Sequence, residues 1–454
     1  MPPCQSKTSC VPSWPFPAIG NTQQSVNVVH CRLLLYGLSF RAIGGNVKRA
    51  RRKDDEAEGV GDLMEEHALT AVIDIMMDFA RSTGLSSSMA PPRRYLWTDA
   101  FGVCNFLGLY EKTGDESFKE LALRLVEQVH QVLGRHRDDD QRKGWLSGLD
   151  DREAALHPTR GGLRIGKRLK ERRPGEPFDE RLEWDRDGQY FHYLTKWMHA
   201  LNRVARVTGD YTYNRWAFEL ARTSCATFVY QSPRGGHRRM AWKMSIDLSH
   251  PLVPHMGQHD ALDGLITYSQ TAAIAADAPD GAEKDLSAEI RTMDEMCRGK
   301  GLATDDPLGL GSLLSDAYRL GQLIARESCP ASADLLHALL SASRQGLEAF
   351  TAQNQLSEGA DYRLPFREFG LSIGLHAAQR LRALAEENRL VSAGSHAFGQ
   401  AIEAVLKHAP PMEAIEGFWL RPEHQKSETW TEHRDINMVM LATSLSPDGF
   451  LNLF

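Results

Sequence analysis

Acidic side chains are missing from the first 53 residues, which carry eight basic ones: Lys7, Arg32, Arg41, Lys48, Arg49, Arg51, Arg52 and Lys53. The remainder holds 45 basic against 59 acidic groups, so the overall formal charge of −6 averages a +8 head and a −14 body. An acid-free leader with Ser and Arg has the composition of an organelle transit peptide. A disordered tail, or an extension upstream of the native start, shares that composition. Met64 opens MEEHALTAVIDIMMDF, which reads as a clean helix start. The expected organisation is an extension over residues 1–63 that is no part of the fold, followed by one folded domain over 64–454.

Other absences narrow the function. The richest apolar stretch, Leu33 to Phe40, is far short of the roughly 18–20 residues that span a bilayer. An acidic body argues against nucleic acid, whose phosphates need a positive surface. Cysteine is sparse. Three of the seven (Cys4, Cys10, Cys31) sit in the head, and Cys104, Cys225, Cys297 and Cys329 are scattered. Neither zinc-type pairs nor a disulfide framework results, which points to a reducing compartment: the cytoplasm, or an organelle if the head is a transit peptide. His255 and His259 stand at i, i+4, but Pro254 precedes them and no HExxH motif follows. No metal and no cofactor is expected.

What is present is helical periodicity. Leu69, Val72, Ile73, Met76, Met77, Phe79 and Ala80 form one broad apolar face, and Phe118, Leu121, Leu125, Val129, Val132 and Leu133 another. The pattern recurs over 197–207, 213–228, 308–324, 333–350, 369–384 and 395–406, without sustained alternation of β-branched residues. A weak repeat is also visible: LGLYEKTGDESFKELALRL from Leu107 aligns with LNRVARVTGDYTYNRWAFELA from Leu201. Both read helix, Thr-Gly-Asp, helix, the Gly ending one helix in a left-handed cap and the Asp capping the next.

Six helices that are apolar nearly all round open near Thr98, Asp187, His259, Leu308, Arg367 and Arg434. More amphipathic, more charged helices lie between them, with 65–80 left over to complete a second layer. This predicts an all-α (α/α)6 toroid of six inner and six outer helices. The rhythm, the Thr-Gly-Asp turns and the aromatic-plus-carboxylate clusters that open the inner helices resemble the six-hairpin glycosidase superfamily. Those toroids include many glycoside hydrolases, polysaccharide lyases and the acylglucosamine epimerases. The resemblance covers roughly residues 65–454 and specifies fold better than enzyme.

In such a ring the inner helices point one way, and their first residues converge on one mouth. The sequence places there Tyr95, Trp97 and Asp99; Trp184, Asp185, Asp187, Gln189, Tyr190, His192 and Tyr193; His255, His259, Asp260 and Asp263; Arg367 and Glu368; and Trp430, Glu432, His433, Arg434, Asp435 and Asn437. Glycoside hydrolysis needs one protonated and one ionised carboxyl group across the scissile bond. Aromatic faces hold sugar rings, and Gln, Asn, His and Arg read hydroxyls. Asp99 and Asp187 are the expected carboxyl pair, with His259 and Asp260 as a supporting acid–base unit. Trp97, Trp184, Gln189, Tyr190, His192, Asp263, Arg367, Glu368, Trp430, His433 and Asp435 would shape the site for a small saccharide or glycoside.

Each residue also has a structural reading. Asp at a helix start is most often an N-cap, which suits Asp99, Asp187 and Asp435. His192 lies on an otherwise apolar helix, where a satisfied core histidine is the commoner outcome. MGQHDALDG differs in kind, because His259 and Asp263 stand one turn apart on a helix that otherwise wants to be buried, and a buried charge is costly unless paired or used.

That string also supports a sugar epimerase or isomerase. Acylglucosamine and cellobiose epimerases carry a Gly-His plus acidic pattern on an inner helix, with His residues as acid and base; here Gln258 intervenes between Gly257 and His259, and His433 could be the second His. A non-catalytic helical scaffold, which predicts an open superhelix, is the third reading. Residues 160–173, RGGLRIGKRLKERR, hold seven basic groups and one acid: a solvated loop, or a lid that attracts an anionic sugar.

Overall fold

Helices with small apolar residues on every side are driven inward, and helices with one apolar stripe cover them. The computed structural model describes residues 49–86, 91–232, 235–236, 238–278, 285–328, 333–387, 395–410 and 412–454. The basic head up to residue 48, with Cys4, Cys10 and Cys31, lies outside the described residues, as does Cys329. The chain divides into two units, Met1–Glu58 and Gly59–Phe454; the first is described only as helical backbone from Arg49, and the toroid belongs to the second.

Numbered by their place in the two layers, the helices are α1 Arg49–Ser82, α2 Leu96–Thr113, α3 Glu116–Leu133, α4 Phe191–Thr208, α5 Thr212–Phe228 and α6 Asp260–Ala276. They continue as α7 Ser287–Cys297, α8 Pro307–Ala325, α9 Ala333–Ala352, α10 Pro365–Glu386, α11 Ser395–Leu406 and α12 Arg434–Leu445. The even-numbered helices pack α2–α4–α6–α8–α10–α12 and back onto α2, which closes a ring. Each odd-numbered helix from α3 to α11 lies against the inner helix before it. Helix α1 fills the last outer place: Asn105 of α2 meets Met76 at 3.4 Å, and Arg434 of α12 pairs with Asp78. Among the described residues the architecture is therefore an (α/α)6 toroid. A closed ring excludes the open superhelix that a repeat scaffold requires.

The repeat is legible down to single hydrogen bonds. Gly114 and Gly209 adopt φ of 70° and 72°, the left-handed region that a side chain disfavours, and close their helices onto Tyr110 and Ala205 carbonyls. Asp115 and Asp210 each accept from the N–H two residues on, at 2.9 Å in both. Thr113 and Thr208 each receive the following Asp N–H at 3.2 Å.

Helices α8 and α10 approach closely at a pair of glycines. A Cβ on Gly311 would stand 1.9 Å from the Gly370 carbonyl oxygen, so only glycine allows that approach. Small strands trim the ring. Gln189–Tyr190 (β1), Lys243–Met244 (β4) and Pro251–Val253 (β5) form an antiparallel sheet with Gln189 opposite Met244, and Val229–Gln231 (β2) pairs with Arg238–Met240 (β3).

Two boundaries differ from expectation. Helix α1 runs through Met64 instead of starting there. Helix α4 opens at Phe191 and not near Asp187, because the Asp187 carboxylate is engaged by the preceding loop and residues 189–190 join the sheet. No helix among the described residues is long and apolar enough to cross a membrane.

Candidate active site

Contacts run from helix start to helix start around the ring, so the inner helices are parallel and their N-termini share one mouth. Tyr95 and Tyr193 hydroxyls meet at 2.6 Å, joining α2 to α4. His192 faces Asp260 at 3.8 Å, joining α4 to α6. His259 donates to the Leu302 carbonyl at 2.8 Å, just before α8. Arg367 of α10 pairs with Asp306, the cap of α8, and His433 at the start of α12 lies edge-on to Phe366 of α10. Arg93 and Asp435 at 3.3 Å bring α12 back to α2.

Aromatic rings cluster on the α2–α4 side. His192, Tyr190 and Trp242 form a triangle of rings, the His192 plane close to parallel with both and its centroid 5.3 and 5.9 Å from theirs. Trp97 packs on Tyr193 at 5.3 Å, and Trp184 stands edge-on to Trp242 at 4.7 Å. Lys167 lies over Trp184 and Tyr190.

Beside this cluster the buried charges sort into opposite protonation states. Burial raises the Asp260 carboxyl to about 7, with the negative charge of Asp263 adding to the effect and the Gly257 N–H at 3.0 Å opposing it. Burial pushes Asp263 upward too, but Lys196 at 2.8 Å more than offsets that by charge and hydrogen bond, and holds it below the usual carboxylate range. Asp316 of α8 is raised to about 7 by burial and by the neighbouring charge of Asp263. His192 is pushed down to about 3 by burial, so its ring is neutral near pH 7, and its Nδ1 has no hydrogen-bond partner among the described residues. A proton donor, a fixed anion and a neutral imidazole thus share one end of the ring.

Inside the ring lies a small cavity of about 20 Å³, room for about one water molecule. Helix α8 lines it with a stripe at helical spacing, Leu308, Ser312, Ser315, Asp316 and Arg319, and Trp97 and Lys196 face that stripe. Among the described residues no group of three or more His, Cys, Asp or Glu is arranged to hold a metal ion.

Several expected site residues are engaged elsewhere. Asp187 is 0% exposed; its carboxylate meets Arg164 at 2.6 Å and Arg137 at 3.3 Å, and it accepts from the Gly166, Lys167 and Gly188 N–H groups. Five donors saturate the roughly four lone-pair positions of a carboxylate, leaving none for a sugar. Asp99 is buried against Arg94 and accepts from the Tyr95 N–H at 2.9 Å, so it ties down the first turn of α2; burial raises it to about 6 despite the arginine. Glu368 is gripped by both arms of Arg363 and by Trp419 Nε1. Gln189 accepts from Leu163 N–H and donates to Gly161 and Ile246 carbonyls, fastening two loops. Trp430 is buried against Trp419 and Phe369, a core position. These five serve the framework of the mouth.

The basic loop is likewise built into the fold. Arg164 takes Asp187, Arg172 takes Glu183, and Lys170 reaches Asp139. The loop's one acid, Glu171, pairs with Arg142, which also holds Asp140 and Asp247. Such neutralised charges leave Lys167 as the basic group over the aromatic cluster.

Lys196, Asp316, Arg319 and Trp242 were not expected in the site. The signal for the first three was present: lysine in HYLTKWMHAL, and Asp and Arg in LLSDAYRLG, are charges within otherwise buried helices, as in MGQHDALDG. Trp242 lies between strands and had no periodic signal.

No family model matches the sequence, and no curated protein matches it either. Solved structures do. An inactive variant of an α-1,6-mannanase of Salegentibacter sp. HEL1_6, in complex with α-1,6-mannotriose, is 12% identical, covering 84% of this chain and 99% of its own, at a TM-score of 0.45. A sugar epimerase from a ruminal bacterium is 11% identical, covering 83% and 98%, at a TM-score of 0.42. A cellobiose 2-epimerase from Spirochaeta thermophila DSM 6192 is 14% identical, covering 77% and 86%, at a TM-score of 0.38. The chain is similar to each of these proteins.

Proposed function

We propose that this protein is a carbohydrate-active enzyme that hydrolyses a glycosidic bond at the mouth of the toroid. One observation carries the reading. Asp260 and Asp263 stand one helical turn apart, and their surroundings push their protonation in opposite directions, as an acid and its anionic partner require. Asp260 would donate its proton to the leaving oxygen. Asp263, held ionised by Lys196, would face the positive charge that develops on the sugar, while a water molecule adds at the anomeric carbon in place of the leaving oxygen. Trp97, Tyr190 and Trp242 supply apolar faces for the ring.

A panel of oligosaccharides and aryl glycosides, assayed for reducing-end release, tests this. Hydrolysis of at least one, lost in Asp260→Asn and in Asp263→Asn, is the expected result. Release that survives both substitutions would remove these carboxylates from the reaction.

A second reading has its own observation. Neutral His192 presents an unpartnered Nδ1 3.8 Å from Asp260, an arrangement suited to moving a proton next to a sugar carbonyl. In this version His192 takes the place expected for His259, whose Nε2 is bound to the Leu302 carbonyl. Solvent deuterium entering unconsumed sugar, and lost in His192→Ala, would favour epimerisation or isomerisation over hydrolysis.

A further inference from the structure

The basic loop over residues 160–173 passes over the start of α2. The Leu96 N–H of α2 donates to the Ile165 carbonyl at 3.0 Å, and the next two N–H groups of the loop, of Gly166 and Lys167, are held by the Asp187 carboxylate at 3.0 and 3.3 Å. Asp187 is itself fully buried, so the backbone that carries Lys167 is fixed from both sides. The Lys167 ammonium lies 6.0 Å from the centre of the Trp184 ring and 5.9 Å from that of Tyr190, and it donates to the Trp184 carbonyl. Its charge is felt by His192 at the start of α4 and by His433 at the start of α12, the two inner helices that flank α2. Lys167 therefore belongs to the mouth.

Three lysines gather at this end of the ring, and two are neutralised. Lys196 holds Asp263 at 2.8 Å and Lys243 holds Glu183 at 2.9 Å, and both lysines are buried. Lys167 differs. Among the described residues it makes no ion pair, and part of its surface stays exposed. Burial lowers its amine to about 8, with Lys243 adding to the fall and the charges of Asp185 and Asp187 opposing it, so most of it is protonated at pH 7. Asp187 has nothing more to offer, since Arg164, Arg137 and three N–H groups fill its carboxylate. A cation that has given up much of its water normally holds an anion; two ring faces and one carbonyl meet only part of that need. Trp184 and Trp242, both partly exposed and edge-on to each other at 4.7 Å, supply apolar surface beside it.

We propose that Lys167 makes the mouth a site for anionic saccharides: a carboxylate or sulfate ester of the sugar docks on the ammonium, and the ring that bears it lies against Trp184 and Trp242. This rests on the glycosidase reading and narrows its substrate class. Lys167 sets specificity: it binds the anion whether or not a bond breaks, and leaves proton donation to Asp260. The rest of the protein works against a general attraction for anions, because the body carries 45 basic against 59 acidic groups. A preference for the charged sugar has to come from a local cation.

Matched pairs of p-nitrophenyl glycosides test this: glucoside against glucuronide, galactoside against galacturonide, and glucoside against its 6-sulfate, each as both anomers. Binding is read by calorimetry in the full chain carrying Asp260→Asn, so that nothing is consumed, and p-nitrophenol release is read in the unmodified protein. At least one anionic member should bind about tenfold or more tighter than its neutral twin. Whether the uronates or the sulfate show the preference identifies the anion. Adding Lys167→Met should abolish the preference while leaving the neutral twin's affinity within about twofold and the circular-dichroism spectrum unchanged, and Lys167→Arg should retain it. Equal affinity within every pair would overturn the proposal before any lysine variant is made. A preference that survives Lys167→Met would overturn it too, as would failure of every member to bind. Anionic preference without release of p-nitrophenol from any member would support the role of Lys167 and count against the glycosidase reading. Release from neutral members without any anionic preference would do the reverse.

Discussion

Asp260→Asn removes a charge while keeping the shape of the side chain and an oxygen for the Gly257 N–H. In the fold this carboxyl titrates at about 7, against an ordinary 3.8. The sign follows from burial. A carboxyl raised in the folded state leaves stability intact below its unfolded value, and that stability is lost as the pH rises through the folded value. Each pH unit between the two is worth about 1.4 kcal/mol, so the raised value costs the fold roughly 4 kcal/mol at pH 8 and under about 2 kcal/mol at pH 5. Asparagine does not titrate. Relative to the unmodified protein, the variant should therefore gain about 2–3 kcal/mol between pH 5 and pH 8. Urea unfolding followed by far-ultraviolet circular dichroism at pH 5, 6.5 and 8 reads that difference, and glycoside hydrolysis is measured on the same samples. Turnover should vanish in the variant, and in the unmodified protein it should fall as the pH rises past about 7. A stability difference that stays flat across the pH range would refute the burial argument, and retained turnover would refute the role as proton donor.

Three further outcomes follow from the packing. Arg164→Met leaves Asp187 buried with one arginine fewer and two carbonyls, Val132 and Arg135, without their donor; a loss of about 3–5 kcal/mol in urea unfolding is expected. Unchanged stability with lost activity would instead return Asp187 to the reaction. Lys196→Met strands the buried Asp263 carboxylate, raises its protonation, and should destabilise by about 3–5 kcal/mol, more at pH 8 than at pH 5; the opposite pH trend would contradict the pairing. Gly311→Ala drives a methyl group into the Gly370 carbonyl, so the α8–α10 contact must open at a cost of about 1–3 kcal/mol or more, and a variant as stable as the parent would show that the contact is looser than drawn.

The elements that were legible share a cause: their information is local. Thr-Gly-Asp is a complete turn instruction in three residues, because the glycine's backbone freedom and the aspartate's cap act within four positions of themselves. Inner and outer helices separate by how much of their circumference is apolar, a property that can be counted along one segment. The six inner helices accordingly lie where small-residue apolar runs were found, with starts displaced by a few residues. The charge argument that singled out MGQHDALDG was also local, and the same argument applied to LLSDAYRLG would have reached Asp316.

The carboxylates could not be ranked in this way. Asp187, Asp99 and Glu368 look like site residues in the sequence because each opens or precedes an inner helix among aromatics. What removes each from the mouth is an arginine: Arg164 and Arg137 for Asp187, Arg94 for Asp99, Arg363 for Glu368. For Asp187, those arginines lie 23 and 50 residues away, on segments that meet only in the folded chain. The sequence by itself determined the ring and the residues available at its mouth, since helical period and turn chemistry act within a few residues. Only the tertiary structure decided which carboxyl groups are neutralised by arginines and which stay available beneath His192. It also decided that Phe450 stacks on Phe101, because pairing, desolvation and packing depend on groups brought together from distant parts of the chain.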